Sequence, residues 1–261
     1  MNPLFDRSRL LQYQRCPRSY WYQYGIYGKG VVAKRLAVPL EMGSGVHVGI
    51  EYLLAGEAID KCVDIACWSY RTRCKERGLV LSSTEDQRFV MLEQEALIEA
   101  ILRVFSLVVL PDIKRCKVIE VEKEHILKLG GIDFMSRPDA IVQDGDEHYV
   151  LSFKTTGLAD SDATRKKLEI ETYHDDQGIS EGLAFEQDSG IKISGTKYIF
   201  LLKGQRREYP KGSGKWVQWS PLIQGYRKAG AGMQFEYAAE WKWKDEQGHG
   251  HTLGKGWERF N

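Results

Sequence analysis

Apolar and polar positions alternate over two short runs in the middle of the chain, Asp139-Ala140-Ile141-Val142 and Tyr149-Val150-Leu151-Ser152-Phe153-Lys154, on either side of the pair Asp144-Gly145. A period of two marks a strand with one buried face, and an Asp-Gly pair between two such runs predicts an antiparallel hairpin. Successive strand side chains point to opposite faces, so Ser152 and Lys154 are expected on one face and Leu151 and Phe153 on the other, toward a core. Strands are predicted over 117–129, 134–143 and 148–155 as a meander, and Thr196–Leu202 reads as a further, buried strand.

Helical periodicity fills the flanking stretches. Asp6 or Ser8 can cap a first helix that continues toward Tyr24, interrupted at Pro17 and densely covered by Tyr13, Tyr20, Trp21, Tyr22 and Tyr24. Those rings could stack on bases, but packing of the helix against the core or the C-terminal part is the preferred reading. A second helical block spans about 45–78, with Gly43-Ser44-Gly45 as the turn that opens it; a third runs from a cap at Ser83 or Thr84 to Val109, stopped by Pro111. In the third, Phe89, Leu92, Ala96, Ile98 or Glu99, and Leu102 fall near a 3.6-residue period, which predicts a core-facing stripe. Asp175–Phe185 and Pro221–Tyr237 are further predicted helices. Helices, then three strands, a helix and a strand predict an α/β chain with a central sheet flanked by helices and a helical N-terminal region. The expected parts are a mainly helical 1–110, a core over 111–205, and a C-terminal 206–261 bearing a hairpin and a helix.

Composition narrows the class without deciding it. With 261 residues, 43% hydrophobic and 28% charged, the chain can bury one sizeable core, and no repeat or low-complexity run suggests a solenoid or a linker. The net charge of +1 leaves any nucleic-acid contact to local patches rather than to the field of the whole molecule. The N-terminus lacks a basic segment followed by an apolar run, and the apolar stretch from Val104 to Pro111 is far too short for a bilayer, so a cytoplasmic protein with no membrane partner is expected. Five cysteines without a scaffold-like spacing fit reduced thiols. There is no glycine-rich loop ending in Gly-Lys-Ser/Thr, hence no ATP motor in this polypeptide.

Chemistry concentrates around the predicted hairpin. Arg137-Pro138-Asp139 on the first strand faces Ser152-Phe153-Lys154 on the second. An acid on each of two strands can hold Mg²⁺ through hard oxygen ligands while a lysine orients or deprotonates the attacking water; Asp139 and Lys154 are present, and Ser152 stands where the second acid would be. His47 and Glu51 lie four apart on a predicted helix, so an imidazole could reach a metal with Glu51 orienting it or lying at the rim. Farther on, Lys203, Arg206, Arg207, Lys211 and Lys215 cluster around Pro210 and Gly212-Ser213-Gly214, beside Trp216 and Trp219. A basic hairpin with aromatic edges could grip phosphates and a strand end; an ordinary solvated hairpin is the competing reading.

Ser8-Arg9-Leu10-Leu11-Gln12-Tyr13, Cys16-Pro17-Arg18-Ser19-Tyr20-Trp21-Tyr22, Gly43-x-x-Val46-His47, Arg137-Pro138-Asp139 and Lys154-Thr155-Thr156 occur in an order that resembles the RecB-like branch of the PD-(D/E)XK nuclease superfamily over roughly residues 6–205. The branch includes nuclease domains of recombination helicases, CRISPR-adaptation nucleases and phage exonucleases. The resemblance implies a restriction-endonuclease-like core with a mixed sheet, His47 and Asp139 as metal ligands, Lys154 as the catalytic lysine, and Ser152 in the place of the motif acid. It also implies that Gln177 is the glutamine of the helical Q-x-x-x-Y motif, whose tyrosine position is here Glu181. Glu120, Glu122 or Glu124 could fill a further strand acid. Some relatives carry an iron–sulfur cluster on one N-terminal and three C-terminal cysteines. This chain has Cys16 but none after Cys116, and Cys62, Cys67 and Cys74 do not share one helical face, which argues against a cluster.

The serine admits several explanations. A carboxylate from elsewhere, with Glu122, Glu124, Glu171, Asp175, Asp176 and Glu181 as candidates, could reach the vacated place and preserve a Mg²⁺- or Mn²⁺-dependent DNA nuclease, an exonuclease by family likeness. Without such an acid the fold would bind DNA ends and not cut them. An engineered substitution would produce the same sequence. Any helicase or recombination partner would be a separate chain.

Overall fold

The computed structural model describes residues 4–25, 30, 38–76, 85–157, 162–173, 175–202 and seven short strands between 206 and 259. In chain order these form β1 (Leu4–Phe5), α1 (Arg7–Arg15), α2 (Pro17–Tyr20), a π-helical turn (Trp21–Gly25), α3 (Val38–Leu54), α4 (Ile59–Glu76), α5 (Glu85–Val104), a second π-helical turn (Phe105–Val109) and α6 (Leu110–Ile113). There follow β2 (Lys117–Val121), β3 (His125–Leu129), β4 (Ile132–Ser136), β5 (Ala140–Asp144), β6 (Glu147–Thr156), α7 (Asp162–Tyr173), α8 (Asp176–Ser189) and β7 (Gly195–Leu202). The last strands are β8 (Arg206–Glu208), β9 (Lys215–Gln218), β10 (Leu222–Lys228), β11 (Met233–Tyr237), β12 (Trp241–Lys244), β13 (Gly250–Leu253) and β14 (Trp257–Arg259).

A six-stranded mixed sheet in the order β11-β10-β7-β6-β5-β2 is the centre of the molecule. Only β6 and β7 run parallel, joined through α7 and α8, and the other neighbours are antiparallel. The strand parity read from the sequence holds, but the expectation of a single buried face is corrected, because helices cover both faces of this sheet. Tyr149, Leu151 and Phe153 of β6, with Ile199 and Leu201 of β7, pack against α3, α4 and α5 in the main core. The other face meets the later helices: Tyr198 and Phe200 with Leu168 of α7, and Val150 and Ile141 with Phe185 of α8. Ser152 and Lys154 belong to this second face by strand parity. The architecture is the mixed sheet flanked by helices of a restriction-endonuclease-like fold.

Several local expectations are corrected. The glycines at 43 and 45 do not open a helix but lie inside α3, which begins at Val38; a Cβ on Gly49 of the same helix would run into Leu102 of α5, so small residues there allow close helix packing. The block over 45–78 is two helices, broken by a turn after Leu54. The third helix continues past Val104 as a wider turn, and Pro111 sits in the first turn of α6 instead of ending a helix, where its missing N–H costs nothing. In the predicted stripe, Ile98 and Leu102 are buried and Ala96 and Glu99 half-buried; the caps at Ser83 and Thr84 lie outside the described residues, as do the side chains of Phe89 and Leu92.

The run 117–129 is split, because its second half leaves the main sheet as β3 and pairs with β4; β4 and β5 likewise divide 134–143 between two sheets. The helix α7 is an element that the pattern did not single out. Pro221–Tyr237 is not helical: β10 and β11 form a hairpin that extends the sheet beyond β7, their aromatic and β-branched content winning over a weak helical period.

Candidate metal centre

His47, Glu122 and Asp139 converge where β5 begins, beside the part of β6 that runs on past its pairing with β5. Each comes from a different element: His47 from the middle of α3, Glu122 from the residue after β2, and Asp139 from the residue before β5. One ligand atom from each lies within 4.8 Å of the others. His47 Nδ1 is 3.1 Å from Asp139 Oδ1 and 3.9 Å from Glu122 Oε1. One hydrogen bond and one ion pair orient the acids. The Phe153 N–H donates to Asp139 Oδ2 at 2.6 Å, which leaves Oδ1 turned to the imidazole, and Arg137 Nε forms an ion pair with Glu122 Oε2 at 3.0 Å.

Glu122 is, among the described residues, the one non-glycine in the left-handed backbone region, at φ 49°, and its N–H donates to the Asp139 carbonyl. Such a conformation costs a non-glycine on the order of 1–2 kcal/mol. Strain held at a side chain aimed into a cluster of ionisable groups is a common mark of a working site. Sequence reasoning left Glu120, Glu122 and Glu124 open. The structure separates the first two: Glu120 bonds the buried His125, and Glu122 joins the cluster. No sequence signal distinguishes them, because the register shift between Val118 and Glu120 sets which glutamate turns inward.

Electrostatics bind the group together. Burial of the His47 ring works against its charge, but Asp139, through both charge and hydrogen bond, and then Glu122 outweigh it and push the imidazole up to about 10. Of the two roles expected for Glu51, orienting His47 or lying at the rim, the second fits: it feels the Glu122 charge without bonding His47, and burial first and that charge second raise its carboxyl. A divalent cation would replace the imidazole proton as partner of the two carboxylates, and two carboxylates with one imidazole make a donor set suited to Mg²⁺ or Mn²⁺.

Lys154 faces α8. Its Nζ donates to Gln177 Oε1 and stands 3.9 Å from Asp175 Oδ2. Gln177 Nε2 donates in turn to Glu181 Oε1 at 2.6 Å, so Lys154, Gln177 and Glu181 form one chain of hydrogen bonds. Burial, followed by the charge of Asp139, raises the Glu181 carboxyl to about 8, against the opposing effects of Gln177 and Lys154. Asp175 was a candidate only for the missing acid. It caps α8 by accepting from the Gln177 N–H and takes Arg7 Nη2 of α1 at 2.7 Å, tying the N-terminal helix to the lysine's surroundings. The Ser152 side chain is fully buried and its Oγ has no hydrogen-bond partner among the described residues.

Other expectations have mixed outcomes. The N-terminal aromatics do not pack into the core: Tyr13, Trp21 and Tyr22 are exposed, and Tyr20 contacts both Tyr13 and Tyr24; the side chains of the C-terminal part, the other expected partner, lie outside the described residues. Arg206 and Arg207 lie in β8 and Lys215 and Trp216 in β9, paired as an antiparallel hairpin with Arg207 opposite Trp216. Lys203 and Lys211 lie outside the described residues. Cys62, Cys67 and Cys74 are buried in α4 and Cys16 is exposed. No helix among the described residues is long and apolar enough to cross a membrane.

Comparison with known families agrees with this geometry. The sequence profile described as the PD-(D/E)XK nuclease superfamily matches residues 7–209, which includes His47, Glu122, Asp139, Lys154, Gln177 and Glu181. No curated protein matches the chain significantly.

Proposed function

Because the chain belongs to the PD-(D/E)XK nuclease superfamily, whose members are metal-dependent nucleases acting on DNA, we propose that it cleaves DNA phosphodiester bonds with Mg²⁺ or Mn²⁺ held by His47, Glu122 and Asp139. The observation that carries the proposal is the meeting of those three groups from three separated segments, next to the strand that bears Lys154. The cation would supply Lewis-acid stabilisation of the phosphate and an acidified water. The chain's own residues do the positioning. Phe153 N–H holds Asp139 in one rotamer, Arg137 holds Glu122, and Lys154, steadied by Gln177, presents an ammonium group to a water or a phosphate oxygen.

Within the superfamily the ordered motifs favour the RecB-like branch, and with it an exonuclease acting at DNA ends in phage or bacterial DNA processing or recombination, in the cytoplasm and beside a separate helicase or recombination partner. Arg206, Arg207, Lys215 and Trp216 of the β8–β9 hairpin, with Lys203 and Lys211, are the proposed phosphate grip. Incubation of linear single- and double-stranded DNA with the protein and Mn²⁺, repeated with Asp139→Ala, tests the activity. Cleavage by the wild type alone is expected, and equal cleavage by both removes the assignment. End-labelled and circular substrates separate exonuclease from endonuclease.

The orphaned hydroxyl of Ser152 favours a second reading, a nuclease-fold protein that binds DNA ends without cutting. It requires salt-dependent DNA binding with no cleavage at any Mn²⁺ concentration.

A further inference from the structure

Two departures from the family pattern fall on neighbouring elements, β6 and the helix α8 that packs on it. On β6 the acid is replaced by Ser152; on α8 the position four residues after Gln177 is Glu181. The helix runs antiparallel to the strand, and its contacts fix the pairing. Gln177 reaches Lys154, and Phe185 packs with Val150. Four residues of helix advance ~6 Å and two residues of strand ~6.6 Å, so equal steps along the two elements carry contacts from 177 with 154, through 181 with 152, to 185 with 150. Glu181, midway between Gln177 and Phe185 on the same helical face, therefore lies over Ser152. The helix is held close there, since a Cβ on Gly178 would stand 2.6 Å from both Thr196 Oγ1 and Tyr198 Oη, and Tyr198 is the strand neighbour of Ser152.

Both side chains carry an unmet polar atom. Glu181 is 2% exposed and Ser152 0% exposed. Neither Glu181 Oε2 nor Ser152 Oγ has a hydrogen-bond partner among the described residues. A buried carboxylate oxygen left unpaired costs far more than a neutral one, and it persists where a cation or substrate completes it. The other oxygen is already fixed by Gln177 Nε2 at 2.6 Å. Burying an acid on the helix is compatible with a small serine below it; an aspartate or glutamate at position 152 would set two like charges against each other.

We propose that Glu181 supplies from α8 the carboxylate that β6 lacks, completing the metal centre of His47, Glu122 and Asp139 on the side facing Lys154. The proposal rests on the nuclease reading of that centre. Glu181 lies outside the trio that already meets within 4.8 Å. The migration explains both departures at once: the acid moved from strand to helix, and the helix gave up its aromatic to receive it.

Mn²⁺ binding, followed by electron paramagnetic resonance of the free ion in the absence of DNA, provides a readout independent of turnover. Wild type, Asp139→Ala, Glu181→Gln and the double exchange Ser152→Asp with Glu181→Ala are compared, with thermal unfolding confirming that each is folded. Glu181→Gln keeps the side-chain length and the acceptor for Gln177. Its Mn²⁺ affinity should fall roughly ten- to a hundredfold, the range seen when groups supporting a metal site are removed, and the double exchange should recover most of it. Glu181→Gln binding Mn²⁺ as the wild type does, while Asp139→Ala does not, overturns the role of Glu181 and leaves the nuclease reading intact. A folded double exchange that binds no better than Glu181→Gln also overturns it. Equal Mn²⁺ binding by wild type and Asp139→Ala would instead sink the metal centre itself.

Discussion

Replacing Glu181 by glutamine should make the metal-free protein more stable, and increasingly so as pH rises. Burial, and then the charge of Asp139, lift this carboxyl from 4.5 to about 8. A raised acid leaves stability intact below its unfolded value; as pH climbs from there through about 8, the unfolded chain ionises freely while the folded chain resists, and stability is lost. At 1.36 kcal/mol per unit, the loss grows by on the order of 3 kcal/mol between about pH 5 and pH 8. Glutamine has no proton to lose, and it retains the oxygen that accepts from Gln177 Nε2. The variant should therefore match the wild type near pH 5 and exceed it by roughly 3 kcal/mol near pH 8. Urea unfolding followed by tryptophan fluorescence, in EDTA and at several pH values, measures the difference. A constant offset across that range, or a variant less stable than the wild type near pH 8, would refute the buried, uncompensated state assigned to this carboxyl. Saturating Mn²⁺ should narrow the gap, because a bound cation stabilises the ionised wild type and not the variant.

Three further outcomes are expected. Gly178→Ala forces a methyl to within 2.6 Å of Thr196 Oγ1 and Tyr198 Oη, so α8 must lift; a stability loss of about 1–3 kcal/mol in urea unfolding and weaker Mn²⁺-dependent cleavage should accompany each other. Lys154→Met, which preserves the stem without the charge, should leave DNA binding by filter retention largely intact while lowering single-turnover cleavage by roughly a hundredfold or more; unchanged cleavage would remove Lys154 from the chemistry. Glu122→Ala strips Arg137 of its partner and the cluster of one carboxylate, and calorimetric Mn²⁺ titration should show affinity reduced by at least about tenfold, whereas Glu124→Ala should leave it unchanged.

The sequence carried the strand faces and named residues that the structure brings together. Leu151 and Phe153 were legible as core because strand parity sets them on the face opposite Ser152 and Lys154. His47, Asp139, Lys154 and Gln177 were legible through the ordered motifs, and the structure brings His47 to Asp139 and Gln177 to Lys154. The distribution of 117–143 between two sheets was not legible, because β3 and β4 read locally like continuations of β2 and β5, and only their pairing with each other separates them. The hairpin of β10 and β11 was misread for a related reason: its aromatic residues fit a helical face as well as a strand, and the free edge of β7 decided between them.

The sequence alone determined which residues could do chemistry here, since side-chain type and local period are written in it. It could not determine which glutamate joins His47 and Asp139. Glu120, Glu122 and Glu124 are chemically alike and adjacent, and the bulge in β2 together with the left-handed turn at Glu122 selects one. Nor could it show that Glu181, separated from Ser152 by 29 positions (181 minus 152), lies over it. That neighbourhood exists only once α8 has packed antiparallel on β6, because contacts between a helix and a strand depend on the crossing of two elements and not on their separation along the chain.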